Sequence, residues 1–199
     1  ERMKMPWFCF SRVDVVDEDF LALMQEAGCH TIIFGIESGS EEILARYRKG
    51  YTRTRVMDTI RTCARLGIRT VGTFILGLPE ETEETALETL DLLKRIPLDY
   101  ASFNVAVPRA GTDLRREAMS LGLASDGQTV MDQSGSEIAK PTRYLSREQV
   151  RDFRKSAVRT FYLRPSYWMR RLGKVRSMYE LAKNVRQGFF LVRNTWFRN

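Results

Sequence analysis

The sequence predicts an α/β protein built on a parallel sheet, and three observations predict it. Four strand-sized apolar runs, at residues 7–12, 31–36, 70–76 and 100–107, alternate with segments whose apolar residues recur at helical spacing. None approaches the roughly 18 residues of a membrane span. Each run also ends in Ser, Gly, Pro or charged residues that a core would not accept unpaired. Helices between successive strands imply parallel pairing through right-handed crossovers. A barrel or an open doubly wound sheet both satisfy the pattern, although four strands are too few to close a barrel.

The elements follow in order. Residues 7–12 are short, apolar and aromatic. Asp17 is then placed to cap a helix whose apolar stripe is Phe20, Leu21, Leu23 and Met24 and which stops at Gly28. Residues 31–36 form a continuous, β-branched run, the pattern of a strand buried on both faces. The run breaks at Glu37-Ser38-Gly39-Ser40, where Ser40 is placed to cap a short helix through Tyr47. A longer helix carries Val56, Ile60, Cys63 and Ala64 and stops at Gly67. After the strand 70–76 come the loop Gly77-Leu78-Pro79-Glu80-Glu81 and a helix over 82–95, with Ala86, Leu87, Leu90 and Leu93 as its apolar face. Glu80, Glu81, Glu83 and Glu84 suit the dipole of that helix start; an acidic metal site is the competing reading. The fourth run closes at Pro108-Arg109-Ala110-Gly111-Thr112.

Residues 122–145 are rich in Gly, Ser, Asp and Thr and read as a loop connecting a body at 1–121 to a helical extension at 146–199. Ser146 and Gln149 form a capping-box start to a helix through about Tyr162, Pro165 opens another, and 175–192 is a third helical candidate. Charge divides at the same place. Residues 1–139 carry 16 Lys+Arg against 22 Asp+Glu, whereas 140–199 carry 16 against Glu148, Asp152 and Glu180. The basic extension has three competing readings: an appendage packed on the body with its charges solvated, a surface for anionic lipid, or a nucleic-acid contact.

Composition narrows the function classes. With 43% hydrophobic and 29% charged residues, the chain is not wholly disordered. Cys9, Cys29 and Cys63 are odd in number and spaced as neither a disulfide framework nor a metal site. His30 is the single histidine, which leaves little material for a histidine triad or a histidine-rich metal centre. No signal-peptide pattern follows Glu1, so a cytoplasmic protein is expected, and an initial Glu suggests a piece of something longer.

In parallel α/β folds ligands bind at the carboxyl ends of the strands. Here those ends carry Ser11-Arg12, Glu37 to Ser40, Gly77 to Glu80, and Pro108 to Thr112. Glu37 is expected to meet Arg12, Lys49 or a ligand. Residues 28–40, Gly-Cys-His-Thr-Ile-Ile-Phe-Gly-Ile-Glu-Ser-Gly-Ser, with Lys49-Gly50-Tyr51-Thr52 beyond them, resemble the fourth-strand motif of radical S-adenosylmethionine (radical SAM) enzymes. Residues 72–82 are similar to the fifth-strand motif, and Phe103 to Pro108 with Gly111-Thr112 to the sixth. Phe10-Ser11-Arg12-Val13-Asp14 resembles the third-strand segment of the cobalamin-binding branch, and residues 160–167 resemble that branch's helical tail.

The resemblance implies a partial, TIM-like (β/α) barrel comprising strands three to six, followed by a helical extension. It implies S-adenosylmethionine as cosubstrate and a 4Fe-4S cluster whose ligands lie outside this chain, because the family's CxxxCxxC motif is absent. Cobalamin, on a domain outside the chain, is a further implied cofactor. Glu37, with its neighbour Ser38, is placed near the ribose or methionine end; Lys49 matches the residue that pairs with the methionine carboxylate, and Arg12 is a second candidate for that task. Thr73 is placed to reach a ribose hydroxyl and Ile75 to lie against adenine. The backbone of Val105 and Ala106 is placed to read the adenine edge, Gly77 and Pro79 shape the strand-to-helix turn, and Pro108 of the sixth-strand segment joins the implied cosubstrate-binding set. Competing structural readings make Lys49 a solvated helix-end cation and Thr73 and Ile75 ordinary strand residues. Three function classes follow: a cobalamin-branch radical SAM enzyme acting on a small-molecule or lipid-like substrate, an RNA-modifying radical SAM enzyme gripping tRNA through its basic tail, and a non-catalytic α/β binding module. Under the first two, the chain needs the missing N-terminal part of its polypeptide and is inactive alone.

Overall fold

A computed structural model describes residues 5–124 and 141–173. Strands β1 (Trp7–Ser11), β2 (Cys29–Glu37), β3 (Arg69–Leu76) and β4 (Tyr100–Val105) form one sheet in that order, with every neighbouring pair parallel. The described helices are α1 (Glu18–Glu26), α2 (Glu41–Arg46), α3 (Arg53–Arg65), α4 (Glu83–Arg95), α5 (Asp113–Ser120), α6 (Arg147–Tyr162) and α7 (Pro165–Gly173). Strand order never reverses, so right-handed crossovers keep the helices on one side and leave no switch point. The sheet is therefore an open arc of a singly wound barrel.

One face of that arc is the core. Ile32, Phe34, Ile36, Phe74, Leu76 and Phe103 from the strands are buried against Leu21, Val56, Ile60, Cys63, Leu92, Leu93, Ala157 and Phe161 from the helices. The expectation that 31–36 is buried on both faces is corrected. Ile32, Phe34 and Ile36 are fully buried, but Thr31, Ile33 and Gly35 on the other face are only half-buried. On that concave face Phe8 and Phe10 of β1 stand 59% and 75% exposed, because no described helix crosses it. The fourth strand stops at Val105 rather than Val107, since the chain turns away ahead of Pro108, which has no N–H to continue a ladder.

Most helix starts follow their expected chemistry. Asp17 accepts from Phe20 N at 2.8 Å, and Thr82 and Ser146 head capping boxes closed by Thr85 and Gln149. Ser40 occupies the N-cap of α2, but its side chain makes no capping bond; its own N–H is taken up by Ser38 Oγ. The α1 stripe is only half buried: Leu21 and Met24 face the core while Phe20 and Leu23 are exposed. On α4 the buried face is Thr85, Ala86, Thr89, Leu92 and Leu93, with Leu87 turned to solvent. Helix α5 was not expected; Thr112 caps it by accepting from Arg115 N.

Helices α6 and α7 pack on the β3–β4 end of the same core. β4 is the sheet's edge on this side, and α6 satisfies its outward backbone groups. Tyr162 Oη donates to Ala101 O at 2.7 Å and accepts from Ala101 N at 3.2 Å, while Arg154 Nε donates to Phe103 O at 2.9 Å. Side chains thus cover an edge that would otherwise invite a further strand. Arg164 donates to the carbonyls of Leu93 and Ile96 at the end of α4, Arg170 donates to Leu98 O, and Arg171 lies over the Tyr100 ring. These arginines bind the extension to the body, so their charges engage backbone carbonyls and a ring and are not simply solvated. The third helical candidate, 175–192, lies outside the described residues.

Candidate functional site

The carboxyl end of β2 holds a non-glycine residue with a left-handed backbone, a conformation that Arg48 shares among the described residues. Glu37 has φ of 65°, and Ser38 N donates to Ile36 O at 2.8 Å, closing a three-residue turn around Glu37. A left-handed conformation in a non-glycine residue is costly and persists only where its surroundings over-determine it. The sheet register slips at the same place, so that Glu37 instead of Ile36 faces Phe74. The turn folds the carboxylate back over Gly35 on the concave face. A Cβ on Gly35 would lie 2.9 Å from Glu37 Oε1 and 4.0 Å from Thr73 Oγ1.

Lys49, delivered by the loop after α2, meets that carboxylate with Nζ 3.4 Å from Oε1, both side chains being partly buried. Arg12 does not pair with Glu37. Its Nε and Nη2 bond Asp14 at 2.9 and 2.7 Å, because Asp14 lies two residues away on the same loop. Arg12 Nη2 also donates to Lys49 O at 2.6 Å, so Arg12 holds the loop that carries Lys49. Tyr51 adds a second tie by donating its hydroxyl to Gly35 O at 2.7 Å. Burial, and then the Glu37 carboxylate, push the Tyr51 phenol well above its usual pKa, so it stays a donor.

Thr73 and Ile75 lie on the concave face of β3, with Asn104 of β4 opposite Ile75 in register. Asn104 received no role from the sequence; its place opposite Ile75 becomes visible only once register is known. Thr73 Oγ1 donates to Phe34 O at 3.3 Å. Val105 turns its side chain into a small cluster with Leu145 and Val150, and Ala106 N donates to Leu76 O, which commits that amide. Gly77, Ala106 and Pro108 line an apolar hollow closed by Leu114 and Ala118 of α5. Ser38 is buried and bonded to Thr89 and to Ser40 N, so its hydroxyl anchors the turn to α4. Gly39 follows it so closely against α4 that a Cβ would stand 2.6 Å from Thr89 Cα and 2.8 Å from Glu88 O. Backbone cannot yield as a side chain can, so Gly39→Ala is expected to cost about 1–3 kcal/mol in a urea titration. An unchanged midpoint would show that the helix is not seated this tightly.

Among the acidic residues of the β3–α4 loop, only Glu83 and Glu84 sit in the first turn of α4. Glu80 pairs with Arg46 and Arg143, each at 3.6 Å. Glu81 is 1% exposed, and its Oε2 accepts from Gly77 N at 2.6 Å, fixing the strand end. Burial raises its pKa from 4.5 to about 7, against the pull of the Gly77 amide. Between those values the folded state holds a proton that the unfolded chain has released. The stability from this group is thus full below about pH 4.5 and lost as pH rises through 7. Glu81→Gln, which keeps an acceptor for Gly77, is expected to flatten the fall in melting temperature between pH 5 and about 8. An identical slope in both proteins would contradict this.

The site is thus a carboxylate and an ammonium on a strained strand end, bordered by a hydroxyl, an amide and an apolar side chain on one concave face. Residues 4–93 match the family model of the Radical SAM superfamily. Those residues are therefore a segment of that superfamily's domain. The chain is 34% identical over 165 residues to an uncharacterized methyltransferase of Pyrococcus horikoshii, spanning 83% of this chain and 36% of that protein. It is 38% identical over 87 residues to a tRNA-2-methylthio-N(6)-dimethylallyladenosine synthase of Pelobacter propionicus, 42% of this chain and 20% of that one. Its fold is similar to that of the cobalamin-dependent S-adenosylmethionine radical enzyme OxsB, solved with aqua-cobalamin and S-adenosylmethionine bound. The TM-score is 0.61 at 16% identity, over 98% of this chain and 35% of that one. The chain therefore spans about a third or less of the length of these proteins.

The residues fit one of the family's groups and not the other. S-adenosylmethionine carries an ammonium, a carboxylate, a ribose diol and an adenine, and the Glu37–Lys49 pair with Thr73 and Ile75 offers a counterpart to each. Among the described residues no group of three or more His, Cys, Asp or Glu side chains is arranged to hold a metal. The three cysteines are free, with Cys29 and Cys63 buried. The iron–sulfur cluster therefore has no ligand set among these residues.

Proposed function

We propose that this chain is the C-terminal part of the barrel of a radical SAM enzyme, and that its strand ends hold the methionine and ribose portions of S-adenosylmethionine. The observation that carries the reading is the Glu37–Lys49 pair, held on a strained turn at the mouth of the concave face. Lys49 donates to the methionine carboxylate, Glu37 accepts from the ammonium or the ribose, Thr73 bonds a ribose hydroxyl and Ile75 excludes water beside adenine. A pair already formed at 3.4 Å can open to take a zwitterion, since each partner exchanges one opposite charge for another. A 4Fe-4S cluster, which finds no ligand set among the described residues, would supply the electron for reductive cleavage of the cosubstrate in the full-length protein.

The reaction class is methyl or methylthio transfer, supported by the names that the relatives carry. The fold likeness to OxsB over 98% of the chain supports the cobalamin branch, and with that branch goes the reading of a small-molecule or lipid-like substrate. The similarity to a tRNA-modifying synthase favours a second reading, an RNA substrate. The test uses the full-length protein, purified without oxygen and supplied with iron, sulfide, reductant and S-adenosylmethionine. Formation of 5′-deoxyadenosine is expected; its absence with an intact cluster removes the enzyme reading. Methylation or methylthiolation of bulk tRNA would select the RNA reading over the small-molecule one.

A further inference from the structure

Thr89 lies in the middle of α4, remote in sequence from β2, yet its side chain holds the end of that strand at Glu37. It is fully buried, and its Oγ1 accepts from Gly39 N at 2.9 Å, lies 3.1 Å from Ser38 Oγ and donates to Thr85 O at 3.3 Å. Ser38 Oγ in turn accepts from Ser40 N at 3.1 Å. With Thr89 donating to Thr85, the Ser38 hydroxyl donates to Thr89, and each hydroxyl both gives and receives. Ser38 and Gly39 are thereby fixed to one side chain of a neighbouring helix, and Ser40 is tied to it through the Ser38 hydroxyl. Gly39 permits the approach because it has no Cβ to meet the α4 backbone.

On its other side Glu37 is fixed by pairing with Phe74 in the shifted register. A left-handed Glu between two such clamps has no room to relax toward an extended strand, which would swing its carboxylate off Gly35 and away from Lys49. We propose that Thr89 is a positioning residue whose hydroxyl keeps Glu37 in its left-handed turn, so that α4 sets the geometry of the S-adenosylmethionine anchor. The inference rests on the reading of Glu37 and Lys49 as that anchor.

The test measures two quantities on the full-length protein: the affinity for S-adenosylhomocysteine by calorimetry, and hydrogen exchange of the Gly39 amide. Thr89→Val is isosteric and leaves Gly39 N–H buried without an acceptor; it is expected to weaken binding by about tenfold and to speed Gly39 exchange by at least as much. Thr89→Ser keeps the hydroxyl and is expected to bind within about twofold of the parent. Wild-type affinity in Thr89→Val, or equal weakening in Thr89→Ser, overturns the proposal. Rapid exchange of Gly39 in the parent protein overturns it even if the valine variant fails to fold. If Glu37→Ala binds normally, the anchor reading has failed, whereas normal binding by Thr89→Val beside weak binding by Glu37→Ala rejects Thr89 alone.

Discussion

Glu37→Ala in the full-length protein is expected to weaken S-adenosylmethionine binding by roughly 10- to 100-fold, the range for hydrogen bonds to a charged group. The substitution removes the acceptor and also leaves Lys49 without its partner at 3.4 Å. Folding is expected to change little, because a partly exposed ion pair contributes about 0–1 kcal/mol. Part of even that loss is offset by the smaller side chain, although alanine keeps the left-handed backbone cost. Glu37→Gln separates charge from hydrogen bonding and is expected to fall between the parent and alanine. Calorimetric titration checks each value, and an affinity for the alanine variant equal to the parent's would remove Glu37 from the site.

Phe161→Ala is expected to destabilise the protein by about 3–5 kcal/mol, the largest stability effect of any substitution named here. Phe161 is fully buried. Its ring meets Phe103 of β4 edge-on at 6.4 Å, Tyr162 at 4.8 Å and Tyr167 at 5.3 Å, and Arg164 lies over its face at 4.5 Å. Truncation leaves a cavity that these ring contacts from three elements cannot collapse into without moving β4. It also loosens Arg164 and Tyr162, which satisfy backbone groups at the end of α4 and on the β4 edge. Chemical denaturation with a two-state check measures the loss. A cost below about 1 kcal/mol would mean that the helical extension is not part of the core.

The parallel order of the strands was legible in the sequence because it follows from pattern, whereas Glu37 was left with Arg12, Lys49 or a ligand as its partner and only the fold selects Lys49. Alternating apolar runs and helical stretches force crossovers. The capping box at Ser146 was legible for the same reason, being a local four-residue rule. What escaped was everything decided by tertiary geometry. Arg12 chose Asp14 over Glu37 because two residues of loop suffice to fold one onto the other. The apolar face of α4 was read incompletely: Ala86, Leu90 and Leu93 do meet the core, but the buried Thr85 and Thr89 count as polar in any hydrophobic pattern, although their hydroxyls are satisfied within the protein. Phe20 and Leu23 look like core in the sequence, and no described element covers them. The left-handed turn at Glu37 has no sequence signature, since a glutamate there breaks the usual preference for glycine.

A crystal structure of the full-length protein grown with S-adenosylmethionine tests the central claim most directly. The methionine carboxylate is expected within hydrogen-bonding distance of Lys49 Nζ, with Glu37 Oε1 on the ammonium or ribose and adenine beside Ile75. Density for the cosubstrate away from the β2 and β3 strand ends, with the Glu37–Lys49 pair undisturbed, would contradict it.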